Sequence, residues 1–226
     1  MQTVKCATCL LKSKPAQNLE DSELAILGQS CVETVFEKGE TIFKQDALSS
    51  NIIYLQTGLA KLMIKGPQRM QIIKLKKAPC FLGLPTTIGD KINHYSAVAL
   101  EQTTACFIDL SLFKSLLRMN SDFSCEIILE LCKNELDQFN RCVKLVQNQV
   151  FGRLATNLLN MANEIYRANE FDLPLSRNEF ADLVCSSRET VSRLLSELNQ
   201  EGIIEIRGKH IRLIDLNKLE DISRNG

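Results

Sequence analysis

Residues 176–200 constrain this chain more than any other stretch, because they dictate two short helices joined by a tight turn. Ser176 followed three residues later by Glu179 is a capping-box spacing, in which hydroxyl and carboxylate each satisfy a free backbone amide, so a helix is expected to start there. Its apolar positions Phe180, Ala181, Leu183 and Val184 recur at helical spacing. Cys185-Ser186-Ser187 interrupts the pattern, and Ser186 or Ser187 can cap a second helix with a buried stripe of Val191, Leu194, Leu195 and Leu198. Arg188, Glu189, Ser192 and Arg193 then fall on the opposite, open face. That is the pattern of a helix-turn-helix, the arrangement that lays its second helix into a DNA major groove.

The open face has chemistry to match. A guanidinium donates two hydrogen bonds to O6 and N7 of guanine, which suits Arg188 or Arg193, and Glu189 can accept from the amino group of cytosine. Ser187, Thr190 and Ser192 can serve base edges or phosphates. The competing explanation is a solvated amphipathic helix held by pairs such as Glu189–Arg193. The residues beyond the second helix favour the DNA reading. Gly202 stands where a helix C-terminus favours glycine, and residues 203–207 and 210–214 alternate like two strands around Gly208-Lys209. Helix, turn, helix and hairpin make a winged helix, with Arg207, Lys209 and Arg212 as candidate phosphate contacts.

The run Ser187-Arg188-Glu189-Thr190-Val191-Ser192-Arg193-Leu194-Leu195, with Gly202, Ile203, Ile204 and Gly208-Lys209 behind it, resembles the DNA-binding domain of the CRP/FNR family of bacterial transcription regulators. The resemblance implies that Arg188, Glu189 and Arg193 read bases. Arg188 is similar to the catabolite-activator branch and Ser192 to the oxygen-sensing FNR branch, so the site read is expected to share features of both.

Charge does not make the case for DNA by itself. The chain carries 27 Lys and Arg against 27 Asp and Glu, and residues 152–226 are slightly acidic. Affinity is therefore expected from a few positioned cations and from doubling in a dimer, not from a global basic field. No run of apolar residues is long enough for a membrane span, and the first residues lack the apolar core of a signal peptide, so a cytoplasmic location with no membrane partner is expected. In that setting the nine cysteines are expected to be mostly reduced thiols.

Residues 122–150 read as one long helix. Cys125, Leu129, Cys132, Leu136, Phe139, Val143, Val146 and Val150 are all apolar at coiled-coil spacing, with Glu126, Glu130, Lys133, Asp137, Arg141 and Lys144 mostly outside the seam. At about 1.5 Å per residue the helix spans about 40 Å, enough for the spine of a homodimer. A core helix packed on its own domain is the alternative. The resemblance assigns the segment to dimerisation, with Cys125 and Cys132 near the two-fold seam as small hydrophobes.

Residues 32–113 read as short strands separated by glycine and polar turns, the signature of a barrel or jelly roll. Lys38-Gly39-Glu40 and the Tyr54-to-Gly58 spacing resemble the cyclic-nucleotide-binding β-roll of the same family. The expected architecture is thus α+β: a cysteine-bearing segment (1–18), a cyclic-nucleotide-binding-like β-roll (19–121), the dimerisation helix (122–150) and a winged helix-turn-helix (151–226). Cyclic-nucleotide binders carry a glutamate in a Phe-Gly-Glu-Leu-like segment for the ribose hydroxyl, and an arginine further on for the cyclic phosphate. Here the segments are Phe81-Leu82-Gly83-Leu84, without a carboxylate, and His94-Tyr95-Ser96-Ala97, with Tyr95 in place of arginine. A buried phosphate would lack its partner, so cyclic AMP is not expected as the effector.

Cys6-Ala7-Thr8-Cys9 has a spacing used by zinc, iron–sulfur and dithiol sites, here in a segment expected to be a mobile tail. By resemblance to the FNR branch, Cys6 and Cys9 look like two of three N-terminal cluster cysteines and Cys106 like the ligand from the β-roll. The remaining ligand is missing, because position 15 is Pro15 where that branch has cysteine; Cys31 and Cys80 are the substitutes to consider. The cofactor therefore stays open among an iron–sulfur cluster or other metal, a thiol redox switch and no sensing role for the cysteines. A thiol oxidoreductase would need a βαβ pattern around Cys6 and Cys9, which the sequence lacks. A ligand-binding adaptor would need an acidic or apolar outer face on the second helix, against Arg188 and Arg193. No catalytic constellation appears, and the expectation is a DNA-binding regulator, not an enzyme. Double-stranded DNA and a second copy of the chain are the expected partners, with RNA polymerase added by the resemblance.

Overall fold

Alternating side chains build the N-terminal half. The computed structural model describes residues 2–3, 6–67 and 69–226, which separate into two compact units, residues 1–136 and 137–226. In the first unit, β1 (Gln2–Thr3), β2 (Cys31–Phe36), β4 (Asn51–Thr57), β7 (Cys80–Leu82) and β9 (Thr103–Asp109) form an antiparallel sheet in the order β1-β2-β9-β4-β7. A second sheet runs β3-β8-β5-β6, from β3 (Thr41–Phe43), β5 (Leu59–Lys65), β6 (Met70–Lys77) and β8 (Ser96–Ala99).

The period of two sorts each strand of the first sheet into two cores. Ile53 and Leu55 of β4, Leu82 of β7 and Ala105 of β9 face the second sheet, meeting its Ala60, Leu62 and Ala97. Ile52, Tyr54, Cys106 and Ile108 face the other way, under helices α1 (Asp21–Gln29), α3 (Leu110–Met119) and α4 (Ser121–Gln147). There Tyr54, Phe81, Phe113 and Phe123 touch in series, with ring centroids 5.0, 6.1 and 5.4 Å apart, and tie both sheet and α3 to the start of α4. Burying a ring of this kind contributes about 1.5–3 kcal/mol.

Helix α4 uses Phe123 and Ile127 for this core, with Leu131 packed partly against it. The expected seam lies elsewhere on its surface: Cys125, Leu129, Cys132, Leu136, Phe139, Val143 and Val146 are all exposed. The eighth member of that stripe requires correction. The helix runs from 121 to 147 and not from 122 to 150, and Val150 opens the next helix, α5 (Val150–Asn160). The cause is tertiary: the amide of Gln149 donates to the carbonyl of Gly226 at 3.1 Å, and Gln149 is extended at φ −67°, ψ 170°.

In the second unit α5 leads through a turn at Met161–Tyr166 to β10 (Glu170–Asp172), α6 (Arg177–Leu183), α7 (Arg188–Gln200), the hairpin β11 (Ile204–Arg207) and β12 (His210–Leu213), and α8 (Leu216–Asn225). The hairpin becomes a three-stranded wing because β10 pairs with β12, an element absent from the sequence expectation. Gly208 makes the tight link at φ 66°, the left-handed region glycine enters without cost. Helices α1, α2 (Leu84–Gly89), α3 and α8 were likewise not expected from the sequence.

Candidate nucleic-acid interface and the two faces of the β-roll

The capping box forms as expected. The Ser176 hydroxyl accepts from the Glu179 amide at 3.3 Å, and the Glu179 carboxylate accepts from the Ser176 amide at 2.8 Å. Of the two candidate caps for α7, Ser187 is the one used, accepting from the Thr190 amide at 3.1 Å. Thr190 is half-buried and its hydroxyl lies 3.1 Å from that of Ser187, so both belong to the cap. Val191, Leu194, Leu195 and Leu198 are buried behind the helix. Arg188, Glu189 and Arg193 are exposed in front, with Ser192 half-buried beside them.

Electrostatics keeps this face ready for ligands. Glu189 has its carboxyl held below the usual range, first by a backbone amide at the helix start and then by Ser187, so it is an acceptor at neutral pH. Arg193 does not pair with Glu189 as the amphipathic-helix explanation required; its guanidinium lies 3.3 Å from Glu197 with the arginine side chain 67% exposed. An exposed pair of that kind is worth about 0–1 kcal/mol, so exchanging the partner is cheap. At the wing, Lys209 and Arg212 are exposed, whereas Arg207 already bonds Glu205 at 2.8 Å. Arg177 of α6 donates to the Gly208 carbonyl at 3.4 Å and so links the first helix to the wing turn.

Sequence reasoning missed the residue that holds the turn between α6 and α7. Arg153, in the first turns of α5, donates to three carbonyls: Asn148 at 2.7 Å, Val184 at 2.9 Å and Cys185 at 3.2 Å. Cys185 sits there at φ 56°, a left-handed conformation unusual for a residue with a side chain. A guanidinium fork fits several carbonyls at fixed angles, and a lysine could not. The only sequence signal was an arginine among apolar neighbours at a helix start.

The β-roll divides into an inner and an outer face. Inside, the amide of Gly83, in the segment that lacks the expected carboxylate, donates to the Tyr95 hydroxyl at 2.9 Å. Tyr95 packs on Phe43 at 5.5 Å, and burial pushes its phenol up, so it stays neutral. Phe36, Phe43, Ile73 and Phe107 fill the space around it. The inner face thus presents an aromatic hydroxyl where a phosphate-binding cation would be required. Beside Tyr95 in the chain, His94 lies 2.6 Å from Asp90, whose carboxyl it draws below the usual range.

On the outer face, Cys6, Cys9, Cys31 and Cys106 line one cavity of about 40 Å³, together with Lys12, Tyr54 and Gln56. The expectation of a mobile tail is corrected here, since Cys6 is buried at 8% exposure against the sheet. Cys31 lines this cavity together with Cys106 and Cys6. Its thiol is pushed up to about 12, chiefly by Cys106 with burial adding to it, and that of Cys6 is raised further, chiefly by Cys31. Gln56 donates to the Cys9 sulfur at 3.7 Å. Cys80 is elsewhere, packed against the inner core. Among the described residues no group of three or more His, Cys, Asp or Glu is arranged to hold a metal ion as it stands, and no helix is long and apolar enough to cross a membrane.

Residues 33–120 match the family model of the cyclic nucleotide-binding domain, and residues 152–222 match that of the Crp-like helix-turn-helix domain. The chain is 26% identical over 230 residues to the transcriptional activator protein FnrL of Cereibacter sphaeroides, covering 95% of this chain and 90% of the relative. It is 27% identical over 184 residues to the transcriptional activator protein FnrA of Stutzerimonas stutzeri, covering 79% and 75%. FixK2 from Bradyrhizobium japonicum shares the fold with a TM-score of 0.77 at 22% identity, over 85% of this chain and 96% of that one. A nucleotide-binding-type roll, a long helix and a Crp-like reading head in this order place the chain in the CRP/FNR family of transcription regulators.

Proposed function

We propose that two copies of the chain pair along α4 and present their α7 helices to successive major grooves of an operator with two-fold symmetry. The observation that carries this reading is the exposed flank of α7, where Arg188, Glu189 and Arg193 stand free of the buried stripe behind them. Arg188 and Arg193 serve as donors to guanine and Glu189 as acceptor from cytosine. Ser187, Thr190 and Ser192 line the phosphate side of the helix start, and Lys209 holds a phosphate from the wing. Pairing is supported by the open stripe on α4, in which Phe139 and Val146 are 59% and 82% exposed. A contiguous apolar strip of that size needs a cover, and a second copy offers an identical one.

The regulator acts in the cytoplasm, without catalysis, and contacts RNA polymerase as its downstream partner. The activator roles of FnrL and FnrA support activation as the outcome. Its effector is not cyclic AMP held in the usual way, because Tyr95 stands where the phosphate's arginine would be required and Phe81–Leu84 carries no carboxylate for the ribose. Selection from a pool of random duplexes tests the reading. The expected product is a palindrome with half-sites about 10 bp apart centre to centre. A pool that stays random, or a site without symmetry, would contradict it.

A further inference from the structure

Nothing in the local sequence requires a break between α4 and α5. Residues 144–151 hold no proline or glycine, and the apolar period of α4 runs on to Val150. Helix α5 also starts without a cap of its own, since Gln149 at the N-cap makes no side-chain cap hydrogen bond. The groups that hold the break come from elsewhere. The Gln149 amide donates to the Gly226 carbonyl at 3.1 Å, and the Asn148 side-chain amide donates to the Ser223 carbonyl at 2.9 Å. Both carbonyls lie at the end of α8, which the fully buried Leu219 anchors. Arg153 adds a third bond, donating to the Asn148 carbonyl at 2.7 Å. So close an approach needs glycine at position 152. A Cβ there would overlap the Gly226 carbonyl, lying 2.8 Å from its carbon and 3.1 Å from the Ile222 oxygen. Backbone meets backbone at this crossing, with no flexible side chain to give way.

We propose that the end of α8 is a strap that holds the α4–α5 break open and so fixes the helix-turn-helix relative to the last turns of α4. With the strap drawn off, the Gln149 amide loses its acceptor. The replacement one turn back is the Leu145 carbonyl, and taking it joins the two helices into one. The amides of Val150, Phe151 and Gly152, which as the first turn of α5 have no acceptor within it, gain carbonyls of α4 in the same step. Arg153 carries the change onward. Its guanidinium bonds the Val184 and Cys185 carbonyls between α6 and α7 as well as that of Asn148. Joining the helices turns the Asn148 carbonyl to the Gly152 amide and takes it from Arg153, so the clamp on the turn before α7 loosens. The strap acts whatever α7 reads, and it is tested on the free protein.

The test is amide hydrogen exchange, resolved residue by residue on the full chain, comparing the parent with Gly152→Ala. Alanine adds only the Cβ that the Gly226 backbone excludes, and it favours helix over glycine. Protection of the amides of residues 150–152 should rise by about 10-fold and that of residues 223–226 should fall by about as much, the effect of one hydrogen bond gained or lost per amide. A fold that is merely destabilised loses protection at both places, so the opposed signs are the signature of the strap. Protection at 150–152 that is unchanged or lower in Gly152→Ala would overturn the proposal. If that variant does not fold, Asn148→Ala decides, because it removes the side-chain tie to Ser223 and adds no bulk. It should shift the two segments in the same opposed sense by a smaller factor. No shift there, or a loss in both segments, would likewise overturn the proposal.

Discussion

Helix α7 and strand β9 carry their chemistry in opposite directions. On α7 the scaffold is buried and the chemistry is outside: Val191, Leu194, Leu195 and Leu198 hold the helix, and Arg188, Glu189 and Arg193 are presented by it. On β9 both are inside, with Ala105 facing the inner core and Cys106 the thiol cavity. The difference decides what a substitution does. A change on the front of α7 is expected to alter recognition and leave folding alone, whereas a change at the buried Cys106 or Cys31 disturbs the core. It also separates what could bind: on the reading proposed above a macromolecule meets the first, whereas the second is a cavity of about 40 Å³.

The largest expected effect falls on pairing. Phe139→Glu with Val143→Glu puts two carboxylates into the exposed stripe of each copy, and every apolar side chain removed from burial there costs about 1.5–3 kcal/mol. Dimer dissociation measured by sedimentation should shift by more than about 1,000-fold, with the melting temperature of the isolated chain little changed because both residues are exposed. A dimer of unaltered strength would move the interface off this stripe.

Next comes the clamp behind the reading head. Arg153→Ala removes a cation shared by three carbonyls. Hydrogen bonds to charged groups are worth about 1.5–3 kcal/mol, and the loss should appear in urea unfolding of residues 137–226. Arg153→Lys should recover little of it, because an ammonium cannot span the Val184 and Cys185 carbonyls as the fork does. Full recovery by lysine would reduce the clamp to a simple charge effect.

The smallest effect is at the wing. Lys209→Ala should weaken operator and random duplex alike and lower the slope of log affinity against log salt by about 1, as loss of one phosphate contact requires. A loss confined to the operator would make Lys209 a base reader.

The same contrast explains what was legible in the sequence. The helices α6 and α7 follow from local rules, since Ser176, Glu179 and Ser187 cap them and the apolar period is complete within each helix. Most roll strands were legible as short runs between glycine and polar turns, whereas β1 and β7 were not. Helix α3 was missed although Asp109 caps it, accepting from the amides of Ser111 and Leu112 at 2.9 and 3.0 Å, because β9 runs into it without a turn. Val150 was misplaced because the contact at the helix break before it comes from Gly226, far along the chain, whose carbonyl fits there only because Gly152 has no Cβ. Cys31 could not be placed because a cysteine in a strand reads as a small hydrophobe, and only the β2–β9 register brings it to Cys106. Arg153 likewise shows its use only once the turn it serves is folded.

The central claim is that the front of α7 reads bases, and Arg193 tests it most directly. Affinities of the parent chain and of Arg193→Ala should be measured for the selected operator and for every single-base-pair variant of one half-site. The substitution should cost about 1–3 kcal/mol on the operator and abolish discrimination at one base pair while leaving the other positions as they were. A uniform loss across all variants and on random DNA would show that Arg193 meets only phosphate, and the recognition role assigned to this helix face would fail.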